Sequence, residues 1–581
     1  MFVPTTMEEV SARGWDALDV ILVSGDTYTD NAYNGTAVMG HWLIDHGYRA
    51  GIIAQPRTDD GSDITRLGVP ELFWSVSAGC VDSMVANHTP TGKFRKEDDF
   101  TPGGVNDRRP DRACIAYTNL IKKHAKGKPI ILAGVEASLR RIAHYDMWSD
   151  SVRRSVLFDS KADSIIYGMA ELATLEVAAR IRDGLPWGDV RGTCTASRTI
   201  PEGAIVMPSY EECSSDRGAF MRAFRIFRDN NDPVTASTLV QAHGDRYLVH
   251  NRPQRHLTTA ELDAVHGSDY MDEVHPYYAR DGHVKAMDTV RNSVTTHRGC
   301  YGDCSFCAIA VHQGRTVVSR SEDSVVAEVE RMASKPSFNG IVRDVGGPTA
   351  NMYGIECGLK TAKGACRDRR CLGDNPCPRL PIDHSRQIRL LRRISDVPGV
   401  RRVFVNSGIR HDMILADVHH GPAYLEEIVS HHVSGQMKIA PEHTSPHVLK
   451  LMGKPGSDKL VRFKSMFDEC TLRAGKEQYL TYYFIAAHPG CTGDDMADLS
   501  RFCHDTLRTV PEQVQVFTPT PSTVSTAMYH CGTDLRGRPV RSERSMQMKQ
   551  RQKETVVKPS ARGHPRGEGR GGSDGKGPRR R

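Results

Sequence analysis

Short apolar runs alternate with helix-like segments along most of the chain. In the first half these runs lie at residues 19–25, 50–54, 72–79, 129–134 and 164–168. Strands that are buried on both faces read as continuous apolar runs, and intervening helices connect such strands in parallel. The pattern therefore predicts an α/β fold in which residues 1–190 form a doubly wound parallel sheet.

The predicted carboxyl ends of these strands are polar. They comprise residues 24–26, 77–79 and 134–138, which could line a binding site or simply end strands. The segment resembles Rossmann-type and cobalamin-binding domains, but it lacks the Asp-x-His-x-x-Gly motif of cobalamin modules, so cobalamin is not expected. Residues 191–290 are more mixed in composition and are predicted to form a connector subdomain.

The alternation resumes after residue 290. Six further apolar runs, at 292–296, 340–345, 402–406, 436–439, 480–486 and 514–517, are separated mostly by helix-like segments. Six strand–helix units predict a partial (β/α)6 barrel over residues 291–531. Chemistry in such barrels lies at the carboxyl ends of the strands. The candidate residues at these ends are Gly346, Gly347, Ser407, Arg410, Glu442 and His488.

A cysteine loop follows the first of these six strands. Cys300, Cys304 and Cys307 have the spacing C-x3-C-x2-C. Three thiolates can hold a cubane [4Fe–4S] cluster and leave one iron without a protein ligand. A structural zinc site is the first alternative, but it needs four closed ligands, and the only obvious fourth, His312, is expected on the helix side of the loop.

The loop resembles the cluster motif of the radical S-adenosylmethionine (SAM) enzymes, including the aromatic Phe306 before the last cysteine. Together with the stretches 344–353, 475–479 and 483–490, it is similar to the YgiQ-type radical SAM proteins over almost the whole chain. The resemblance implies a [4Fe–4S] cluster that cleaves SAM and generates a 5′-deoxyadenosyl radical for hydrogen abstraction. That family has no assigned reaction, so the substrate is unknown.

The resemblance also implies roles for the strand-end residues. The backbone of Gly346 and Gly347 would face the methionine amino group of SAM, although Pro348 replaces the usual Glu. Arg410 would pair with the methionine carboxylate, unless it is simply a solvent-exposed arginine. Similarity to the radical methylthiotransferases places Glu442 near the ribose, and His488 ends the strand that encloses adenine. Ser407 belongs to the strand end that carries Arg410.

Two other functions stay open at this point. One is a methylthiotransferase-like RNA modification enzyme, and the other is an iron–sulfur protein without enzymatic activity. A radical SAM enzyme of either kind is expected to need a low-potential electron donor such as flavodoxin or ferredoxin. The sequence names neither the substrate nor the product.

A second cysteine group lies in a Cys-rich insertion at residues 352–384. It contains Cys357, Cys366, Cys371 and Cys377, whose spacing differs from the paired C-x2-C of zinc ribbons. Lys and Arg residues surround them. An auxiliary iron–sulfur cluster or structural metal such as zinc is one interpretation, and unligated or redox-active cysteines are the other.

Composition indicates the compartment in which the chain is expected and the character of its C-terminal segment. The 15 cysteines without an export signal favour the reducing cytoplasm, and the chain lacks an apolar run long enough to span a membrane. Residues 532–581 hold 15 of the 77 Lys and Arg but only 5 of the 70 Asp and Glu. This Arg- and Gly-rich segment is predicted to be a disordered basic tail that contacts RNA or ribosomes, or that only improves solubility.

Overall fold

A nine-stranded sheet occupies the first half of the molecule. The structure, a computed structural model, describes residues 1–367 and 369–557. The strands of the sheet are β1 (Val20–Ser24), β2 (Ala50–Ala54), β3 (Phe73–Ser77), β4 (Ile130–Ala133), β5 (Ser164–Ile166), β6 (Thr193–Ser197), β7 (Ile205–Met207), β8 (Leu239–His243) and β9 (Arg246–His250).

The sheet order is β7-β8-β9-β6-β5-β4-β3-β1-β2, and strands β1 to β5 are mutually parallel. Alternate residues of β1 face different apolar clusters: Ile21 and Val23 belong to one, and Val20 and Leu22 to the other. Both faces of the sheet are therefore covered. The predicted α/β fold with a large parallel sheet is confirmed, and the order reverses between β1 and β3.

Helices and short ribbons complete this half. The main helices are Met7–Ala12, Gly35–Asp45, Ala113–His124, Gly134–Leu139, Glu171–Arg182, Arg217–Asp229 and Thr259–Gly267. Thr29–Asp30 pairs with Glu273–Val274, and His144–Asp146 pairs with Ser151–Arg153. The first of these ribbons ties the segment after residue 270 back to the loop that follows β1.

The predicted connector over residues 191–290 is wrong as a separate unit. Strand β6 pairs antiparallel with β5, and β9, β8 and β7 continue the same sheet. These residues extend the N-terminal sheet instead of linking two domains. The extension is largely antiparallel, with only β7 and β8 parallel. Its sequence therefore lacks the continuous apolar runs that mark the parallel strands.

The second half contains strand segments at the six predicted positions. They are β10 (Ser293–Thr295), β11 (Ile341–Val342), β12 (Asp344–Gly346), β13 (Arg402–Val403), β14 (Gln436–Glu442), β15 (Tyr479–Ala486) and β16 (Gln513–Val516), in which β11 and β12 form one interrupted segment. Neighbouring segments pair in parallel, and a parallel bridge between Ile409 and Ile439 joins the third to the fourth. All six carboxyl ends therefore point the same way.

Helices separate these strands. They include Ile309–His312, Glu322–Ala333, Gly358–Lys363, Ser385–Ser395, His411–Ala416, Gly421–Glu427, Pro446–Met452, Ser457–Arg473, Gly493–Phe502, Val524–Cys531 and Met546–Glu554. Apolar side chains of the strands and helices form one large core cluster in this half. No helix in the described ranges has the length and apolar character needed to cross a membrane.

The predicted disordered tail begins too early. Residues 546–554 form a helix in which the side chains of Lys549 and Gln552 are buried, and Val556 joins the apolar core of the second half. Lys549 Nζ donates to Tyr529 Oη over 2.9 Å. Tertiary contacts therefore order 546–557, whereas the rest of the predicted tail, 558–581, lies outside the described residues.

Candidate active site at the cysteine loop

The cysteine loop lies between β10 and the helix Ile309–His312. It is anchored at its base, where His297–Arg298 pairs with Val318–Ser319. Gly299 has φ +81°, and a Cβ there would come within 2.0 Å of Thr316 O, so this turn requires glycine. The loop thus presents Cys300, Cys304 and Cys307, all half-buried, beside the carboxyl ends of the strands.

The three thiols share a small, glycine-lined space. The Gly302 N–H donates to Cys300 Sγ over 3.3 Å, and Thr349 Oγ1 lies 3.5 Å from the same sulfur. A Cβ at Gly302 would lie 3.3 Å from Cys300 Sγ and 3.4 Å from Cys304 Sγ. Backbone and hydroxyl donors to sulfur stabilise thiolate charge, and the missing Cβ leaves room between two sulfurs. These features fit a thiolate-bound cluster.

Cys300 and Cys307 are protonated in the absence of a metal. Burial raises the pKa of Cys300, and it raises the pKa of Cys307 to about 12. The neighbouring cysteines add to both shifts. Coordination by iron would remove the thiol protons, so cluster binding would be accompanied by proton release.

His312, the alternative zinc ligand, is engaged elsewhere. It ends the helix after the cysteine loop, and its Nδ1 lies 3.0 Å from Ser138 Oγ of the N-terminal sheet domain. The side chain therefore joins the two halves of the molecule. This placement agrees with the expectation that His312 lies on the helix side of the loop.

Arg410 faces the cysteine loop, and it is buried, not exposed to solvent. Its Nη1 lies 3.8 Å from Cys304 Sγ, and its Nη2 is 2.6 Å from Asp412 Oδ2. Burial opposes the charge on Asp412, but Arg410 lowers the Asp412 pKa to about 2. The arginine is therefore held as a cation beside the thiols by a residue that the sequence analysis did not single out.

Glu442 forms a second buried ion pair near the same cysteines. It has φ +69° at the end of β14, and its carboxylate lies 3.3 Å from Lys454 Nζ. Lys454 Nζ also donates to Ala440 O over 2.8 Å. Burial raises the pKa of Glu442, and Lys454 opposes that shift. Lys454 was missed by sequence reasoning.

The two glycines and Ser407 meet at the next strand ends. A Cβ at Gly346 would come within 2.7 Å of Ser407 Oγ, and one at Gly347 within 2.5 Å of the His297 ring. Asp344 accepts hydrogen bonds from the hydroxyl and the N–H of Ser407. Both glycines are therefore required by close packing, and Asp344 fixes this strand end.

His488 differs from the other strand-end candidates. It is fully buried, and its Nε2 lies 2.6 Å from Ser525 Oγ. Its ring centroid is 6.2 Å from that of Phe306 and 5.2 Å from that of Phe517, both edge-on. Burial lowers its pKa to about 3. The neutral His488 ring therefore packs edge-on against Phe306.

The second cysteine group is only partly assembled. Cys371 lies close enough to Cys357 and Cys377 for the three thiols to interact, and all three belong to one apolar cluster with Cys300. Cys366 is half-buried, and the residues on either side of it contact a different segment: the Ala365 N–H donates to Asp232, and Arg367 donates to Thr235 O.

The carboxyl edge of the N-terminal sheet contains a different arrangement. Arg109 Nη2 lies 2.6 Å from Asp26 Oδ1 and 3.2 Å from Asp98 Oδ2, and all three side chains are buried. The Cys80 N–H donates to Asp26 over 2.6 Å, and a Cβ at Gly79 would overlap the Asp26 carboxylate. The charged groups of Asp26, Asp98 and Arg109 are therefore paired with one another, although Arg109 Nη1 has no hydrogen-bond partner among the described residues.

Known proteins are similar to both halves of the chain. The family model described as Radical SAM N-terminal matches residues 2–293. A UPF0313 protein of Fusobacterium nucleatum is 50% identical over 559 residues, which cover 96% of this chain and 98% of that protein. A UPF0313 protein of Thermotoga maritima is 46% identical over 561 residues, with the same two coverages.

A solved structure has a similar fold. It is the cobalamin-dependent S-adenosylmethionine radical enzyme OxsB with aqua-cobalamin and S-adenosylmethionine bound. The TM-score is 0.50 at 10% identity, covering 91% of this chain and 58% of that one. At this identity the likeness concerns the fold.

Proposed function

The chain belongs to the UPF0313 proteins and to the Radical SAM N-terminal family, and from that premise we propose that it is a radical SAM enzyme. Cys300, Cys304 and Cys307 would hold a [4Fe–4S] cluster, and SAM would bind at the adjoining strand ends. One observation carries the proposal: three half-buried thiols share a glycine-lined space with Arg410 at the carboxyl ends of parallel strands. The substrate is not named by any residue.

The bound groups supply the chemistry. When bound, the reduced cluster supplies an electron to SAM, whose cleavage yields the 5′-deoxyadenosyl radical that abstracts hydrogen from a substrate. The chain itself provides charge and shape around them. Arg410 and Lys454 offer two buried cations for a carboxylate, and Glu442 offers an acceptor for hydroxyl groups.

The remaining strand-end residues hold this pocket in shape. Gly346 packs closely against Ser407, and Gly347 packs closely against His297. At these two positions the backbone lies near the pocket with no side chain in between. Phe306 is held between the Lys454 ammonium, 5.9 Å from its centroid, and the His488 ring. These contacts would position the ligands and keep water from the reacting atoms.

The electron donor would approach from the outer side of the cysteine loop. A hollow there is lined by Cys304, Cys307, Arg228 and Arg315. Arg228 pairs with Asp303 at 3.1 Å, whereas Arg315 lies 3.9 Å from the same carboxylate. One carboxylate for two guanidinium groups leaves positive charge, which suits an acidic carrier such as flavodoxin or ferredoxin. The predicted contact of the basic tail with RNA concerns mainly residues outside those described.

The test is SAM cleavage by anaerobically reconstituted protein. With dithionite as reductant, the wild type is expected to form 5′-deoxyadenosine and methionine, and Cys304→Ala is expected to form neither. Cys503→Ala is the matched control, because Cys503 is a buried cysteine of the remote core. Equal 5′-deoxyadenosine yields from Cys304→Ala and wild type would refute the proposal, and an iron-loaded wild type that never cleaves SAM would indicate a binding protein.

A further inference from the structure

We infer that Cys357, Cys371 and Cys377 hold a second iron–sulfur cluster, with Lys360 as its compensating charge. The inference does not depend on the reaction proposed above. Its basis is the local structure of the Cys-rich insertion: a group of close thiols, a buried ammonium that faces them, and a spacing that suits a cluster better than a single zinc ion.

The three thiols are assembled by the fold and not by sequence spacing. Cys357 and Cys371 are buried, and Cys377 is half-buried beside them. The Cys377 N–H donates to Cys371 O over 2.9 Å, which closes the loop between these two cysteines. Leu372, Leu380 and Ile355 surround the group with apolar surface. A site of this kind excludes water from the sulfur atoms.

Lys360 supplies an independent reason to expect negative charge here. Its side chain is buried, with 5% of the residue exposed. Its Nζ donates to Arg315 O over 2.6 Å and lies 5.0 Å from the centroid of the Tyr301 ring, and its charge lowers the pKa of Cys371 against the larger effect of burial. Among the described residues, these partners carry no full negative charge. A buried ammonium needs such a partner, and a metal–thiolate group would provide it.

The spacing of the sulfur atoms favours a cluster over zinc. Four thiolates about 2.3 Å from one zinc ion lie roughly 3.8 Å from one another. Within residues 1–367 and 369–557, the only group of three ligand atoms lying mutually within 4.8 Å is Asp383, Asp417 and His420. The sulfur atoms of Cys357, Cys371 and Cys377 therefore do not all lie within 4.8 Å of one another, and neither do those of the cysteine loop. Ligands at different corners of a cubane require this wider separation.

The charge of such a cluster matches its surroundings. An oxidised cubane core with three thiolates carries about one net negative charge, which one ammonium balances. Tyr301 connects this site to the first, because it follows Cys300 and its hydroxyl accepts the Cys357 N–H over 3.0 Å. Cys366 is not a ligand in this assignment, since the adjacent residues Ala365 and Arg367 form hydrogen bonds with the segment at 232–235.

The first test is the iron and sulfide content of anaerobically reconstituted full-length protein. The wild type is expected to bind about eight irons, and the triple variants Cys300→Ala/Cys304→Ala/Cys307→Ala and Cys357→Ala/Cys371→Ala/Cys377→Ala about four each. Cys366→Ala is the matched control from the same insertion and is expected to keep about eight. Circular dichroism of each variant, measured alongside, normalises the iron content to folded protein.

Lys360→Met keeps every cysteine and so tests the site without removing ligands. Loss of the buried positive charge is expected to lower the reduction potential of the second cluster, followed by electron paramagnetic resonance in the variant that lacks Cys300, Cys304 and Cys307. An unchanged potential would overturn the role of Lys360. Zinc instead of iron, or full iron retention without Cys357, Cys371 and Cys377, would overturn the cluster. Loss of about four irons from Cys366→Ala would overturn the three-cysteine assignment.

These outcomes are distinct from those of the proposed function. If the chain never cleaves SAM, the variant without Cys300, Cys304 and Cys307 still retains its remaining iron. If the second cluster does not exist, the same variant is free of iron, whereas SAM cleavage by the wild type is unaffected.

Discussion

The two halves of the molecule both bring charged groups to the carboxyl ends of parallel strands, but they use them differently. At the N-terminal edge, Arg109 is enclosed by Asp26 and Asp98, so the charges satisfy one another. At the second edge, Arg410 and Lys454 are also paired, yet they border the thiols of the cysteine loop. Paired charges by themselves indicate structural stabilisation, whereas cations beside a group of three clustered thiols indicate a binding site.

The largest expected effect is on the N-terminal edge. Arg109→Met leaves two buried carboxylates without their cation, which is expected to lower the free energy of unfolding by about 3 to 5 kcal/mol. Urea denaturation measures this loss, and the iron content of the folded fraction should stay unchanged. Arg57→Met, which removes an exposed ion pair with Asp59, serves as the control and should have no measurable effect. Normal stability of Arg109→Met would remove the contrast between the edges.

The next largest effect belongs to the second edge. Lys454→Met removes one of the two buried cations near Cys304 while leaving the cysteines intact. Since a charged hydrogen bond contributes about 1.5 to 3 kcal/mol, SAM affinity should fall roughly 10- to 100-fold. Equilibrium dialysis with the reconstituted protein gives the affinity. Lys464→Met, at a more exposed ion pair with Asp468, is the control. Unchanged affinity would show that Lys454 serves the protein structure only, as Arg109 does.

The charge state of the thiols predicts a pH dependence. The raised pKa of Cys307, about 12, keeps this thiol protonated at neutral pH in the metal-free protein. Its thiolate fraction, and so its alkylation rate, should rise roughly tenfold per unit between about pH 8 and 10. Mass spectrometry of iodoacetamide adducts measures the rate, and free N-acetylcysteine should level off near its own lower pKa. A Cys307 rate that levels off with the free thiol would contradict the protonated state.

The smallest effect concerns the space between the sulfurs. Gly302→Ala places a methyl group within 3.4 Å of Cys300 Sγ and Cys304 Sγ. Overpacking of about 1 kcal/mol should speed iron loss to a chelator roughly fivefold. Gly493→Ala is the matched control, because nothing lies within 4 Å of a Cβ at that position. Identical rates of iron loss would mean that this space is not where the cluster binds.

The sequence predicted the strand ends better than the contacts between them. The strand positions of the second half follow from continuous apolar runs. The glycines at 346 and 347 are needed because the backbone there packs closely against Ser407 and His297. Asp412 and Lys454 were missed. Their importance depends on which residues lie near Cys304 in space, and sequence spacing carries little of that information.

The errors at the domain boundaries have physical causes. Strands β6 to β9 are mostly antiparallel, so their residues lack the continuous apolar runs of buried parallel strands. The helix Met546–Glu554 has a polar composition, and only contacts such as Lys549 with Tyr529 reveal that it is packed. Composition alone therefore assigned both segments to the wrong class of structure.

The most direct test of the central claim uses the triple variant Cys357→Ala/Cys371→Ala/Cys377→Ala, in which the cysteine loop alone would bind iron. Adding SAM to the reduced variant is expected to change the electron paramagnetic resonance spectrum of the cluster, because SAM would bind the iron that Cys300, Cys304 and Cys307 leave without a protein ligand. A spectrum that is identical with and without saturating SAM would contradict it.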